Sequence, residues 1–214
     1  MTLIAPIRLE ESVEASLMQV AERVITFEDF LDIENKAGLY ELQGGVLIKK
    51  MAAQIDHEWL VVWLITVLNT YAKAKKLGAV FGSRTAIQID QTSGRIPDIL
   101  FVRQERFDIL HERALIGAPD LVVEIVSPND RPGYLRQLES DYLKIGVPEI
   151  LFVDRRKGEA RLHTLEDNRY RIETFTEGAI TLTSLGGLEL KAEWLLHDPR
   201  PDEYEILLQL TAVR

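Results

Sequence analysis

The segment Leu121-Val122-Val123-Glu124-Ile125-Val126 is the most apolar strand-like run of the chain, and a carboxylate sits inside it. An ionised carboxylate buried among such neighbours costs several kcal/mol unless it is paired or metal-bound. A second carboxylate, Asp98, opens the other strongly apolar run, Ile99-Leu100-Phe101-Val102, directly after Pro97. If these two strands are neighbours, both carboxylates project into one cleft. Such a pair suits a hard divalent cation, which takes oxygen ligands and keeps several waters. The alternative is that Glu124 pairs with a basic residue on a facing helix and Asp98 caps a turn.

The rest of the chain supplies a setting for these strands. Thr26 followed by Asp29 reads as a helix start. Leu39 to Leu42 and Val46 to Ile48 read as short strands around the Gly44-Gly45 turn. A long helix opens at Gln54 or Asp56 and runs to about Leu77, with Lys73, Lys75 and Lys76 as a solvated end and Gly78 as its stop. Ala79 to Phe81 and Arg84 to Asp90 read as strands, and Ile89 to Arg95 as a polar turn. From Tyr134, residues Leu135, Leu138, Tyr142 and Ile145 share one helical face, and Glu149 to Asp154 is a further buried strand. Beyond Gly158, alternating segments such as Ala160 to Thr164 and Tyr170 to Phe175 read as antiparallel edge strands. Asp198-Pro199-Arg200-Pro201 is a breaker before a short terminal helix. The pattern is a mixed α/β domain with a central sheet flanked by two main helices. Its expected divisions are an acidic arm over 1–25, the domain over 26–198 and a helical tail over 199–214.

Composition narrows the chemistry. The absence of cysteine excludes disulfide scaffolds, zinc ribbons and thiol catalysis, and fits a reducing compartment. The first residues lack a basic segment followed by an apolar block, so no signal peptide is expected. The longest apolar run, Trp59 to Leu68, is shorter than the roughly 20 residues a membrane span needs. A cytoplasmic protein without membrane contact is therefore expected. The formal charge of −9 argues against a dedicated nucleic-acid binder, but it is uneven. Arg8 to Glu34 holds two basic and eight acidic residues, whereas Glu41 to Val102 holds seven basic and five acidic. His111, His163 and His197 are isolated and read as surface or structural residues. His57, after Asp56 at a helix start, reads as a capping or packing residue. Trp59 and Trp63, four apart, read as core or interface anchors. Ser127 lacks a nucleophile-elbow context, and no glycine-rich phosphate loop is present.

Four segments in order resemble a family. Tyr40-Glu41-Leu42-Gln43-Gly44-Gly45, Ile96-Pro97-Asp98-Ile99, Val123-Glu124-Ile125-Val126-Ser127-Pro128 and Gly146 to Asp154 are similar to the Uma-type restriction endonucleases of the PD-(D/E)XK nuclease superfamily. Members often place a histidine where His57 stands. The resemblance implies a restriction-endonuclease-like α/β core, with a central mixed sheet flanked by helices and C-terminal antiparallel strands. It further implies hydrolysis of phosphodiester bonds with Mg²⁺ or Mn²⁺, in nucleic acid and more specifically DNA. By position, Asp98 and Glu124 would be metal ligands, and the Ile125 carbonyl could add a third oxygen. Glu41 would act as a further ligand or water-positioning group.

One departure bears on catalysis. The superfamily lysine two residues after the glutamate is replaced by Val126. The helix position that often supplies a basic group instead falls on Leu138. Arg131 and Arg136 are the nearby substitutes, and Arg136 is the candidate catalytic cation. Arginine can clamp a phosphate but is a poor general base. A degenerate nuclease fold acting as a binding or regulatory protein is the competing reading, and a hydrolase of a small phosphorylated compound is a third. A homodimer is the expected assembly, with Trp59 or Leu207-Leu208 as contact candidates.

Overall fold

The computed structural model describes residues 24–37, 39–50 and 53–211. Most of the expected acidic arm lies outside the described residues. Helix α1 (Phe27–Ala37) begins as expected: the Asp29 carboxylate accepts from the Thr26 N–H and hydroxyl at 3.0 and 2.7 Å, and Thr26 Oγ1 accepts from the Asp29 N–H. Strands β1 (Tyr40–Gln43) and β2 (Val46–Lys49) form a hairpin whose turn residues Gly44 and Gly45 both take positive φ, at 56° and 78°.

Helix α2 (Ile55–Ala74) stops earlier than the glycine signal suggests. Lys76 itself adopts the left-handed conformation, φ 55°, and Gly78 instead opens β3 (Gly78–Gly82). The expected polar turn over Ile89 to Arg95 is a second hairpin, β4 (Ala86–Asp90) and β5 (Ser93–Arg95). All three residues of β5 are buried, because Arg95 has carboxylate partners inside the protein. The two hairpins join where Leu42 pairs with Gly94. With β7 (Ala114–Leu115) they make a five-stranded sheet, β2-β1-β5-β4-β7. The expected central sheet therefore has a second, smaller sheet beside it.

The central sheet is six-stranded and mixed. It comprises β3, β6 (Ile99–Arg103), β8 (Leu121–Ile125), β9 (Glu149–Asp154), β10 (Glu159–Glu166) and β11 (Arg169–Phe175), in the order β11-β10-β9-β8-β6-β3. Only β8 and β9 are parallel within it, and helix α3 (Pro132–Lys144) makes the crossover between them. The apolar runs follow from burial on both faces. Ile99, Phe101, Val123, Ile125 and Val153 enter one core cluster under α2, while Leu100, Val102, Val122 and Phe152 enter the other, under α3. Each such side chain contributes about 1.5–3 kcal/mol on full burial.

The C-terminal strands divide: β10 and β11 extend the central sheet, and β12 (Ala179–Leu182) pairs with β13 (Leu188–Lys191) as a separate ribbon. Helices α4 (Ala192–Leu196) and α5 (Glu203–Thr211) complete the α2 side, with Ile206 buried in the core and the Trp63 indole N–H donating to the Pro201 carbonyl at 2.9 Å. Trp63 is thus a core anchor, whereas Trp59 is 66% exposed. His163, read as surface or structural, is fully buried against Phe152. No helix among the described residues is long and apolar enough to cross a membrane.

The small sheet depends on close backbone approach. A Cβ at Gly94 would stand 2.5 Å from the buried Phe27 ring. Gly94→Ala is expected to destabilise the fold by about 1–3 kcal/mol through overpacking, and the midpoint of urea unfolding measures it.

Candidate active site

The strand register accounts for the two carboxylates. Antiparallel β6 and β8 pair Ile99 with Val123, so one further step sets Asp98 opposite Glu124. Alternation then sends both to the face that carries Leu100 and Val122, beneath α3. Both are nearly buried, at 7% and 6% exposure, and both line one open cavity of about 560 Å³. The facing helix gives Glu124 a phenol rather than a base: Tyr142 donates to Oε1 at 2.5 Å. Asp98 Oδ2 accepts from the Ile125 N–H at 2.9 Å. Burial and then the charge of Asp98 push the Glu124 carboxyl well above the usual carboxylate range, against the opposing pull of Lys50 and the Tyr142 hydroxyl.

The cation comes from an unexpected element. Lys50 follows β2, lines the same cavity, and donates from Nζ to the Ile96 carbonyl at 2.7 Å. Its Nζ lies 3.5 Å from Glu41 Oε1. Burial alone would lower its pKa, but the charges of Glu41, Glu124 and Asp98 outweigh it and raise the amine above its ordinary value. Lys50 is therefore an ammonium at neutral pH, a donor and positive charge rather than a base. Arg136, the expected cation, is exposed and does not line the cavity. It lies two residues from Leu138, a turn of about 200° around the helix.

Glu41 stands behind Lys50 rather than in the cavity wall. It is fully buried and accepts from Arg95 Nη1 at 2.8 Å, from the Tyr134 hydroxyl at 2.9 Å and from the Ile96 N–H at 3.2 Å. Arg95 reaches back to Asp141 on α3, at 2.8 Å from Nε and 2.7 Å from Nη2, and Gln137 donates to the other Asp141 oxygen. With its oxygens so engaged, Glu41 holds Lys50 in place.

His57 lines the cavity from the first turn of α2. Its Nε2 is 3.1 Å from both Asp98 Oδ2 and the Ile125 carbonyl. Both partners are acceptors, so Nε2 carries the proton and donates to them. Burial works against the charged ring, but the hydrogen bond and charge of Asp98 prevail and raise its pKa.

The donor set is hard: two carboxylates and the Ile125 carbonyl. Among the described residues no group of three or more His, Cys, Asp or Glu side chains could hold a metal ion. Two carboxylates with waters and substrate oxygens are what Mg²⁺ takes, whereas a structural zinc needs four protein ligands. Burial and the neighbouring Asp98 charge, which together raise the Glu124 carboxyl pKa, are what a divalent cation would offset, so these residues fit one.

A mixed sheet flanked by helices, with paired carboxylates on adjacent strands and a lysine beside them, defines a restriction-endonuclease-like α/β protein. The family model described as "Uma2: Putative restriction endonuclease" matches residues 27–193, and the chain belongs to that family. Among solved structures it resembles one described as "a putative nuclease belonging to DUF820 from Anabaena variabilis ATCC 29413". The two are 20% identical with a TM-score of 0.68, covering 80% of this chain and 97% of that one. No curated protein matches the chain.

Proposed function

We propose that this protein is a metal-dependent nuclease that hydrolyses phosphodiester bonds in DNA. The observation that carries the reading is the meeting of Asp98, Glu124 and the Lys50 ammonium in one cavity open to solvent. Asp98, Glu124 and the Ile125 carbonyl would hold Mg²⁺ or Mn²⁺. A divalent ion in such a site lowers the pKa of a bound water and offsets charge on the reacting phosphate. Lys50 donates to a non-bridging phosphate oxygen as negative charge grows there. Glu41 and His57 are positioning residues: the first holds Lys50, the second holds Asp98 against the Ile125 carbonyl.

The competing reading, a degenerate fold that binds without cutting, draws on Val126 in the lysine position and on the net charge of −9. Lys50 offers a cation from another element, which favours the enzyme. Incubation of the protein with single- and double-stranded DNA in Mg²⁺ or Mn²⁺, with a chelator control, tests the choice. Metal-dependent cleavage by the wild type, lost in Asp98→Ala, is expected. Intact DNA at millimolar metal would favour the binding protein.

A further inference from the structure

Of the cavity's carboxylates, Asp98, Glu124 and Asp130 accept hydrogen bonds from within the protein, and Glu58 is half exposed. Asp130 turns back to accept from the Ser127 N–H at 2.8 Å, and Glu58 stands 3.6 Å from His57. Two cations of the cavity wall, and one tied to the 126–131 loop beside it, are not so committed. Lys49, exposed at the end of β2, lines the cavity, as does the exposed Arg131 just before α3. Arg156, exposed in the turn after β9, donates from Nη1 to the Pro128 carbonyl at 2.9 Å. None of the three has a carboxylate partner among the described residues, in an acidic chain where many other arginines do.

Topology gathers two of them. Because β8 and β9 run parallel side by side, the chain leaves both at the same end of the sheet. The 126–131 loop and the turn holding Arg156 are therefore neighbours, tied through Pro128. The reacting phosphate would have Lys50 inside the cavity. Charges outside it serve only a ligand that extends past the reacting centre and carries further phosphates.

We propose that Lys49, Arg131 and Arg156 form a track for the phosphates flanking the scissile one, so that the site takes an extended polynucleotide strand rather than a mononucleotide or other small phosphorylated compound. This rests on the nuclease reading above.

The test is fluorescence anisotropy of a labelled DNA oligonucleotide with the full chain in Ca²⁺, across a salt series. Lys49→Ala, Arg131→Ala and Arg156→Ala should each weaken binding several-fold and reduce the slope of log affinity against log salt by about one. Lys73→Ala, about 24 Å along α2 from His57, controls for loss of charge as such and should leave the slope alone. With Mg²⁺, the preference of kcat/KM for the oligonucleotide over bis(p-nitrophenyl) phosphate, a diester with no flanking phosphate, should narrow in the three rim variants. Wild-type cleavage with unchanged slopes and preference in those variants would overturn the track and leave the nuclease standing. A wild type that neither binds the oligonucleotide nor cleaves either substrate would overturn both.

Discussion

Lys50→Met is expected to reduce DNA hydrolysis by about 10²–10³-fold, the loss that follows removal of one charge-stabilising donor from a reacting centre. The substitution keeps most of the buried stem and removes only the ammonium. Glu41 retains Arg95, Tyr134 and the Ile96 N–H, so the fold should persist. Because the Lys50 pKa is raised, the ammonium persists through neutral and mildly alkaline pH. Any loss of wild-type activity from lysine deprotonation should therefore set in at a higher pH than for an ordinary lysine. Single-turnover rates with saturating metal measure the effect. A rate within about threefold of wild type, far short of the change expected for a lost donor, would remove Lys50 from the reaction.

Arg95→Leu should be the most destabilising single change in the site's surroundings. Its guanidinium is fully buried between the Glu41 and Asp141 carboxylates. Removing it strands two buried charges, which costs about 3–5 kcal/mol. Arg95→Lys should recover little, because an ammonium cannot bridge two carboxylates as the planar fork does. Urea unfolding of both variants checks this. Stability within about 1 kcal/mol of wild type for Arg95→Leu would show that the pair is not what holds β5 against α3, since a broken buried pair costs far more.

The parts of this protein legible from sequence are those set by local pattern. Ile99 to Val102 and Leu121 to Ile125 are continuous apolar runs because both faces of their sheet are covered, and turn residues bound them. Asp98 and Glu124 stood out for the same reason, as charges where the pattern leaves no room for charge. What escaped was set by tertiary pairing. Lys50 follows the short strand β2 beside Lys49, and nothing in that local pattern separates a cavity lysine from a solvated one. Arg95 lies in the polar stretch Gln91-Thr92-Ser93-Gly94-Arg95, whose composition favours a turn. It is a strand because two carboxylates make its burial tolerable. Asp141 carried a usable signal: it sits three residues after Leu138 and one before Tyr142, on the buried stripe of α3. A carboxylate in that stripe calls for a buried cation, and Arg95 supplies it. Arg136 is a helix cation near Leu138, and two residues along the helix are enough to turn it out of the cavity.

The central claim is that Asp98 and Glu124 form a divalent-metal centre, and calorimetric titration of Mg²⁺ or Mn²⁺ tests it most directly. The wild type should bind the ion saturably, and Asp98→Ala and Glu124→Ala should each lose that binding while remaining folded. No binding by the wild type at millimolar metal, or equal binding by both variants, would contradict the claim.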